Sequence, residues 1–327
     1  MKIWKKIFAM VIGSAVMVTV VGCGSNLMST HEKAEIPETK YKQAGYAVDG
    51  QVEEDGTVKI TYALIGVKDK KITYLYLDQI EQNPSKDRTR FTNKELGSAY
   101  GLGYKSDHGE WNEQVDALEN YIVGNKMTID EVNEIATEKT DSTHLNVPQK
   151  GSDLEAGCNL DISEFLTVIN KAYSNLENTK ATRLAIGDYI QINNNSGNIT
   201  VTLGFVGTDY RFKICYSHLE TYSVTLNSDA DVVSLKEKSA SDESLQTMAN
   251  GEKTFEEYIE GLNMVEAYGV ETYDPGDGIS TALPKKDTDL AAVRSEEHTS
   301  ELQSPMYLVC RLLLEKTGWS LREETRR

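Results

Sequence analysis

One short segment of the chain has residue types suited to holding an anionic ligand. Gly157, Cys158 and Asn159 precede a stretch, beginning at Ser163, in which apolar residues recur at helical spacing. We expect this loop, which enters the helix at residues 157–163, to present free backbone amides and the positive end of the helix dipole, and both favour a phosphate group. Asp161 lies in the same loop and would repel that phosphate unless its side chain turned away.

Three aromatic residues upstream are suited to stacking on the ring system of such a ligand, namely Tyr100, Tyr104 and Trp111. A second interpretation assigns the whole set to structure. In that interpretation Gly157 makes a tight turn, Cys158 is a buried thiol and Trp111 anchors the core. The sequence alone leaves both interpretations open.

Other reactive groups are too few for a recognised metal or catalytic site. His108 lies near Glu110 and Asp141 near His144, but a zinc site requires three or four ligands. The acidic turn at Asp274 lacks the spacing of a calcium loop. The sequence contains no P-loop, nucleophile elbow or Cys-x-x-Cys pair. We therefore expect no metal site, and an enzyme function ranks below ligand binding.

The N-terminus is typical of a bacterial lipoprotein. Residues 2–6 are rich in lysine, and the apolar run at residues 7–21 is too short to span a bilayer comfortably. Residues 20–23, Val-Val-Gly-Cys, resemble a lipobox, whose cysteine is acylated, for example with palmitate, and becomes the first residue of the mature chain. We expect residues 1–22 to be a signal peptide and Cys23 to be a stable lipid anchor.

Composition excludes further classes of partner. The 327 residues carry 34 Lys+Arg against 51 Asp+Glu, a net charge of −17. Nucleic-acid binding needs clustered cations that neutralise phosphates, so we expect no nucleic-acid partner. The same acidity disfavours a basic face that binds anionic lipid, which leaves the lipid anchor as the expected membrane attachment. The sequence identifies no protein partner.

The apolar pattern predicts strands and then helices. Residues 23–43 are polar and form an expected tether. Alternating runs predict an antiparallel meander at residues 46–52, 57–67 and 71–80. Helix signals follow at Thr92, Trp111 to Gly124, Thr128 and Ser163.

The same order of signals then returns. Alternating runs recur at residues 184–192, 199–206 and 211–219. Glu119, Tyr121, Ile122 and Gly124 recur as Glu256, Tyr258, Ile259 and Gly261. We predict an α+β fold of two tandem repeats, residues 44–180 and 181–293, each a small antiparallel β-meander packed with helices.

Motifs in the first repeat resemble a known domain. Residues 96–101 (Leu-Gly-Ser-Ala-Tyr-Gly), 110–114 (Glu-Trp-Asn-Glu-Gln) and 121–124 (Tyr-Ile-Val-Gly) follow the meander. This combination resembles FMN-binding-type domains of Gram-positive surface lipoproteins, which are similar to the flavin-carrying subunits of sodium- and proton-linked electron-transfer complexes. The resemblance covers residues 45–178 and, more weakly, residues 184–293.

The resemblance implies a cofactor and a location. In the electron-transfer relatives a Ser-Gly-Ala-Thr motif precedes a helix, and its Thr is esterified to the flavin phosphate. Asn159 stands at that place and has no hydroxyl, so the resemblance implies that FMN is bound noncovalently. The resemblance also implies that the protein lies on the outer face of the cytoplasmic membrane of a Gram-positive bacterium. The alternative is a degenerate structural or interaction protein without a cofactor.

The C-terminus and the cysteines limit what belongs to the fold. Residues 294–304 and 307–316 resemble the in-frame translation of a sequencing adapter, although an amphipathic tail helix is a second interpretation. We expect residues 294–327 to be an artefact that truncates the second repeat. Cys158 and Cys215 then remain, as one disulfide or, in the preferred interpretation, two core thiols.

Resequencing the locus beyond the codon for Val293 tests the truncation. We expect it to recover a Gly-Cys-like turn and an amphipathic helix similar to residues 158–178. An immediate stop codon would contradict this prediction.

Overall fold

The structure is a computed structural model. It describes residues 40–86, 88–192, 199–226, 231–234, 252–263 and 266, and the backbone of residues 272–273 and 283–284. The predicted signal peptide, Cys23, most of the tether, the acidic turn at Asp274 and the adapter-like segment lie outside the described residues. Within the described residues, no helix combines the length and the apolar character needed to cross a bilayer.

The first sheet is the predicted meander with one short strand added. Its strands are β1 (Gln43–Val52), β2 (Val58–Lys68) and β3 (Lys71–Gln82), all antiparallel. Asp69 and Lys70 connect β2 to β3 with φ angles of 52° and 65°. Two left-handed residues match the twist of the flanking strands, so this tight turn sets the hairpin register.

Helices follow the first sheet in chain order. They are α1 (Asn93–Leu96), α2 (Trp111–Gly124), α3 (Ile129–Asn133) and α4 (Ser163–Ser174), with the short strands β4 (Thr137–Glu138) and β5 (Val147–Pro148) before α4. The capping boxes at Thr92 and Thr128 are both present, as the spacing predicts. Ser163 is the first residue of α4 and not its cap, since the cap residue is Ile162.

The second sheet also contains the predicted meander. After β6 (Glu177–Asn178), which pairs with β1, come β7 (Arg183–Ile192), β8 (Ile199–Thr208), β9 (Ile214–Thr225) and β10 (Asp231–Ser234). The strand order is β10-β9-β8-β7, against β3-β2-β1-β6 in the first sheet. Residues 252–259 form a helix, α5, and β11 (Thr272–Tyr273) pairs with β12 (Leu283–Pro284). The α+β class is therefore confirmed.

The two sheets pack face to face through a shared apolar layer. From β2, Ile60, Tyr62 and Leu64 belong to the same cluster of buried side chains as Leu203 and Phe205 of β8. Fully burying an apolar side chain of this size contributes about 1.5–3 kcal/mol relative to leaving it exposed. This layer was not predicted, because alternation in one strand does not reveal what covers each face.

The opposite face of β2 packs against the helices. Ala63, Ile65 and Val67 alternate with the residues above and join a second cluster that includes Leu118 of α2 and Ile169 of α4. At Gly45 of β1 the approach is especially close, because a Cβ atom there would overlap the carbonyl oxygen of Ala172 in α4. The first sheet is thus a central layer between the helices and the second sheet.

Gly45→Ala tests this close approach. We expect the free energy of unfolding of the variant, measured by urea denaturation, to be lower than that of wild type by about 1–3 kcal/mol. The reason is that the backbone must move to admit the methyl group. Gly124→Ala is the matched control, since a Cβ at the end of α2 meets nothing within 4 Å. That change should stabilise by up to about 1 kcal/mol. Equal effects of the two substitutions would contradict the proposed contact.

Candidate functional site

An open cleft of about 830 Å³ lies beside the N-terminus of α4. Small-molecule sites typically have volumes of about 300–1,000 Å³. Its lining comes from β1, β2 and β3, the segment before α2 and the first residue of α2, the β4–β5 loop, the loop before α4 and α4 itself. Its lining includes Glu53, Lys59, Tyr100, Leu102, Lys105, Ser106, Trp111, Asn159, Asp161 and Glu164.

The cleft brings together three of the six residues predicted to bind a cofactor. Tyr100, Trp111 and Asn159 line it. Cys158 is fully buried in the core, and a Cβ at Gly157 would lie 2.9 Å from the Ala117 Cβ, so these two residues pack against the interior. Tyr104 is 91% exposed and does not line the cleft.

The aromatic residues form a packed wall. Trp111 is only 4% exposed, and its ring centroid lies 5.9 Å from those of Tyr100 and Phe165. Tyr100 is half-buried and donates a hydrogen bond to Glu81 at 3.4 Å. Burial, with the negative charge of Glu81, raises the pKa of Tyr100 above its ordinary value. Trp111 is therefore mainly a core residue, and Tyr100 offers the more accessible ring.

The backbone amides of the loop before α4 already have acceptors within the protein. Gly157 and Cys158 donate to the Leu154 carbonyl at 3.0 Å, and Asn159 donates to the Gln114 side chain at 2.9 Å. The expectation of free amides is therefore wrong for these positions. Short turns and the Gln114 side chain, which comes from another helix, satisfy them.

Asp161 occupies the place expected for a phosphate at the start of α4. Its carboxylate accepts hydrogen bonds from the amides of Asn146 at 3.1 Å and Ser163 at 2.8 Å. Burial opposes ionisation of Asp161, but hydrogen bonds from Ser163, Asn146 and Leu145 outweigh it and lower the pKa. A negative charge of the protein itself thus takes up the first backbone amide of α4.

Side chains supply the positive charges of the cleft instead. Lys59 lies 2.5 Å from Glu53 and 3.8 Å from Glu164. Burial disfavours the charged amine, but the two carboxylates outweigh it and raise the pKa of Lys59. Lys105 is exposed, and no ion pair within the described part of the chain involves it. Lys105 is therefore the cation best placed to meet a ligand.

Asn159 contributes a donor next to Lys105. Its Oδ1 accepts from the Ser106 hydroxyl at 3.4 Å, which orients the amide group. The Asn159 Nδ2 makes no hydrogen bond to other described residues. The Lys105 ammonium and this amide are therefore two donors of the cleft lining that are not engaged by other described residues.

Sequence reasoning missed Lys59 and Glu164, although a signal was present. The helix-facing positions of β2 change from apolar at Ala63, Ile65 and Val67 to polar at Thr61 and Lys59. When the residues on a buried face of a strand change from apolar to polar, the change indicates that the helices packed on that face end there.

A buried acidic network fixes the segment that carries Tyr100. Asp78 of β3 accepts from the amides of Gln79 at 2.8 Å and Lys94 at 3.0 Å. Glu119 of α2 accepts from the Leu77 amide at 2.6 Å and the Lys94 ammonium at 2.7 Å. Together these bonds hold α1 against the edge of β3.

Among the described residues, the remaining thiols and histidines form at most isolated pairs with a carboxylate. The thiols of Cys158 and Cys215 are free, and burial raises the pKa of Cys158 to about 11. His108 lies 3.5 Å from Glu155, and a His144 nitrogen lies 2.7 Å from Asp141. Across the described residues, no group of three potential metal ligands forms.

Asp78→Asn tests the buried acidic network. Burial raises the pKa of Asp78 to about 6. Because the folded protein binds this proton more tightly than the unfolded chain, the contribution of Asp78 to stability falls as the pH rises from about 4 to about 6. The stability advantage of wild type over the variant should therefore shrink by up to about 3 kcal/mol across this window, measured by urea denaturation. An advantage that grows with pH would contradict this assignment.

The cleft thus combines an aromatic wall, an ion-paired lysine and a pair of available donors in a volume suited to a small flat ligand. Comparisons of the chain with protein-family models, curated proteins and solved structures found no match.

Proposed function

We propose that this chain is an extracytoplasmic lipoprotein, anchored to the membrane through Cys23, whose cleft binds a flat anionic ligand such as FMN noncovalently. The observation that carries the proposal is the meeting of distant residues in one cleft. Tyr100, Trp111 and Asn159, whose side chains suit ring and phosphate binding, line it together with Lys59 and Lys105.

The donors and rings suggest how such a ligand lies. Its ring system would lie against Tyr100 and Leu102, on the aromatic side of the cleft. Its phosphate would lie near the Lys105 ammonium and the Asn159 Nδ2, which replace the backbone amides first expected there. An amide side chain cannot form the phosphate ester, so the binding is noncovalent.

We also propose that the two halves arose by tandem duplication, and local geometry supports this. Both middle strands carry an irregularity at the matching place, between Gly66 and Val67 and between Gly207 and Thr208. Glu119 accepts from the Leu77 amide at 2.6 Å. Glu256, its counterpart in the sequence, accepts from the Leu219 amide at the same distance. Such matched details are difficult to obtain by chance from independent folds.

Corresponding positions in the two halves carry different residues, and this difference bears on function. When the two strands are aligned at these irregularities, Thr200 of β8 corresponds to Lys59 of β2. The second half therefore lacks the cation that the first half places in its cleft. On this basis the first half is the ligand-binding half, and the second provides the sheet on which it packs.

The second candidate function is a structural or interaction protein without a cofactor. It is favoured by the loop amides, whose donors are used within the protein, and by Lys59, whose charge is already balanced by Glu53 and Glu164. In this case the cleft is a remnant of an ancestral site, and function lies on the surface of the protein.

FMN binding distinguishes these candidates. We expect the purified protein to show a flavin absorption spectrum or, with added FMN, a rise in melting temperature, since a ligand at about 100 times its Kd stabilises by about 2.7 kcal/mol. Riboflavin, which lacks the phosphate, should bind more weakly. No chromophore and no thermal shift would reject the ligand-binding proposal and leave the structural one.

Two substitutions locate the site. The double variant Lys105→Met and Asn159→Leu should weaken FMN binding by about 10- to 100-fold, because it removes a charged and a neutral donor, and should affect riboflavin much less. Tyr104→Ser is the matched control on the same loop, outside the cleft, and should leave the Kd unchanged. Equal losses for FMN and riboflavin would argue against a phosphate at this end.

A further inference from the structure

The antiparallel register gathers four segments at one end of the two sheets. The amide of Lys42, just before β1, donates to the Val67 carbonyl at the end of β2 at 2.8 Å. The Thr182 amide, just before β7, donates to the Thr208 carbonyl at the end of β8 at 2.7 Å. The Tyr41 hydroxyl joins the two sheets here by donating to the Thr182 carbonyl at 2.9 Å. We call this end the entry pole, because the chain enters the first sheet there.

Positive charge is concentrated at the entry pole. Its cations are Lys40, Lys42, Lys68, Lys70, Lys71, Lys126, Lys180, Arg183, Arg211 and Lys213. Among the described residues, the acidic residues at this pole are Asp69, Asp130, Glu131, Glu177, Asp209, Glu260 and Glu266. The cations outnumber the acids, although the whole chain has a net charge of −17. Every one of these cations is exposed except Lys68, which is half-buried.

The acids at the entry pole are partly engaged in local structure. Asp69 pairs with Lys42 at 3.1 Å. The Asp209 carboxylate accepts from the amides of Arg211 at 2.7 Å and Lys213 at 2.9 Å, which closes its own turn. The described cations still outnumber the acids, so the entry pole carries an excess of positive charge.

Aromatic rings accompany the arginines at this end. The Arg183 guanidinium lies 4.2 Å from the ring centre of Phe212, and that of Arg211 lies 5.1 Å from the ring centre of Tyr210. Phe212 adopts a φ of 62° at the β8–β9 turn. Aromatic and basic side chains together are typical of surfaces that rest in the headgroup region of a bilayer.

We propose that the entry pole binds the headgroups of an anionic phospholipid bilayer. The proposed tether connects the lipid anchor to this same pole, so a bilayer is the surface that the pole meets. Each cation near an anionic leaflet contributes a favourable attraction that falls off within a Debye length. The pole thus orients the anchored domain on the membrane and does not depend on ligand binding in the cleft.

Screening explains why the acidic remainder of the chain does not prevent this contact. The Debye length is about 10 Å at 0.1 M salt. An 11-residue strand such as β2 is about 35 Å long. Acidic groups at the far end of the sheets are therefore screened from a bilayer at the entry pole. The expectation that acidity disfavours a basic lipid-binding face rested on the net charge of the whole chain. That net charge does not reveal the excess of cations at the entry pole.

Vesicle co-sedimentation of the full chain tests the proposal. The triple variant Lys71→Gln, Arg211→Gln and Lys213→Gln removes cations at the entry pole. The matched control, Lys86→Gln, Arg88→Gln and Arg90→Gln, removes exposed cations from the β3–α1 loop at the other end. Because the N-terminal segment is common to all variants, differences between them report the pole.

We expect the entry-pole variant to lose roughly tenfold or more in affinity for phosphatidylcholine vesicles containing phosphatidylglycerol, and the control to lose less than about twofold. The difference should vanish on pure phosphatidylcholine and at high salt.

Equal losses for the two variants, or no lipid preference, would overturn the proposal. So would tighter binding of the entry pole to soluble heparin than to vesicles, which would identify a polyanionic polymer as its partner. The FMN thermal shift of the entry-pole variant should match wild type, which separates this test from that of the cleft.

Discussion

The burial of both faces of β2 is the interaction on which the rest of the structure depends. Tyr62 and Leu64 point toward the second sheet, while Ala63 and Ile65 point toward α2 and α4. A strand that is apolar on alternate positions only would leave one side of the sheet in water. Because β2 is covered on both sides, the helices, the first sheet and the second sheet stack as successive layers held together by its buried side chains.

The cleft exists because the helices do not cover the whole of one face of β2. Along the helix-facing side of β2 the residues change from Ile65 and Ala63 to Thr61 and Lys59. Glu164 at the start of α4 accepts from the Thr61 hydroxyl at 3.0 Å, so a polar network replaces apolar packing there. A cluster of this kind keeps its groups hydrogen-bonded while leaving space beside Tyr100. The same strand therefore supplies the core at one end and the candidate site at the other.

Charge is also distributed by the strand register. Hairpin turns need residues that tolerate positive φ or exposure, and in this chain Asp69, Lys70 and Phe212 fill such positions. Since β2–β3 and β8–β9 turn at the same end of the sheets, their lysines and arginines collect in one place. Antiparallel pairing thus produces a basic surface in an acidic protein.

The sequence predicted local structure well, for a physical reason. Alternation marks strands, and capping at Thr92 and Thr128 depends on residues three positions apart, so both signals are contained within a few residues. The free amide expected at Asn159 was wrong because its acceptor, the Gln114 side chain, lies 45 residues away in the chain. Hydrogen-bond partners that are remote in sequence have no local pattern.

What the sequence determined by itself is the order of strands and helices, the α+β class and the set of aromatic and polar residues from which a site could be built. Only the tertiary structure decided which of these residues meet. It placed Trp111 and Cys158 in the core, Tyr104 in solvent, and Lys59, Lys105 and Asn159 along one cleft. The reason is that periodicity specifies which side of an element a residue occupies, whereas burial and charge depend on the elements that pack against that side.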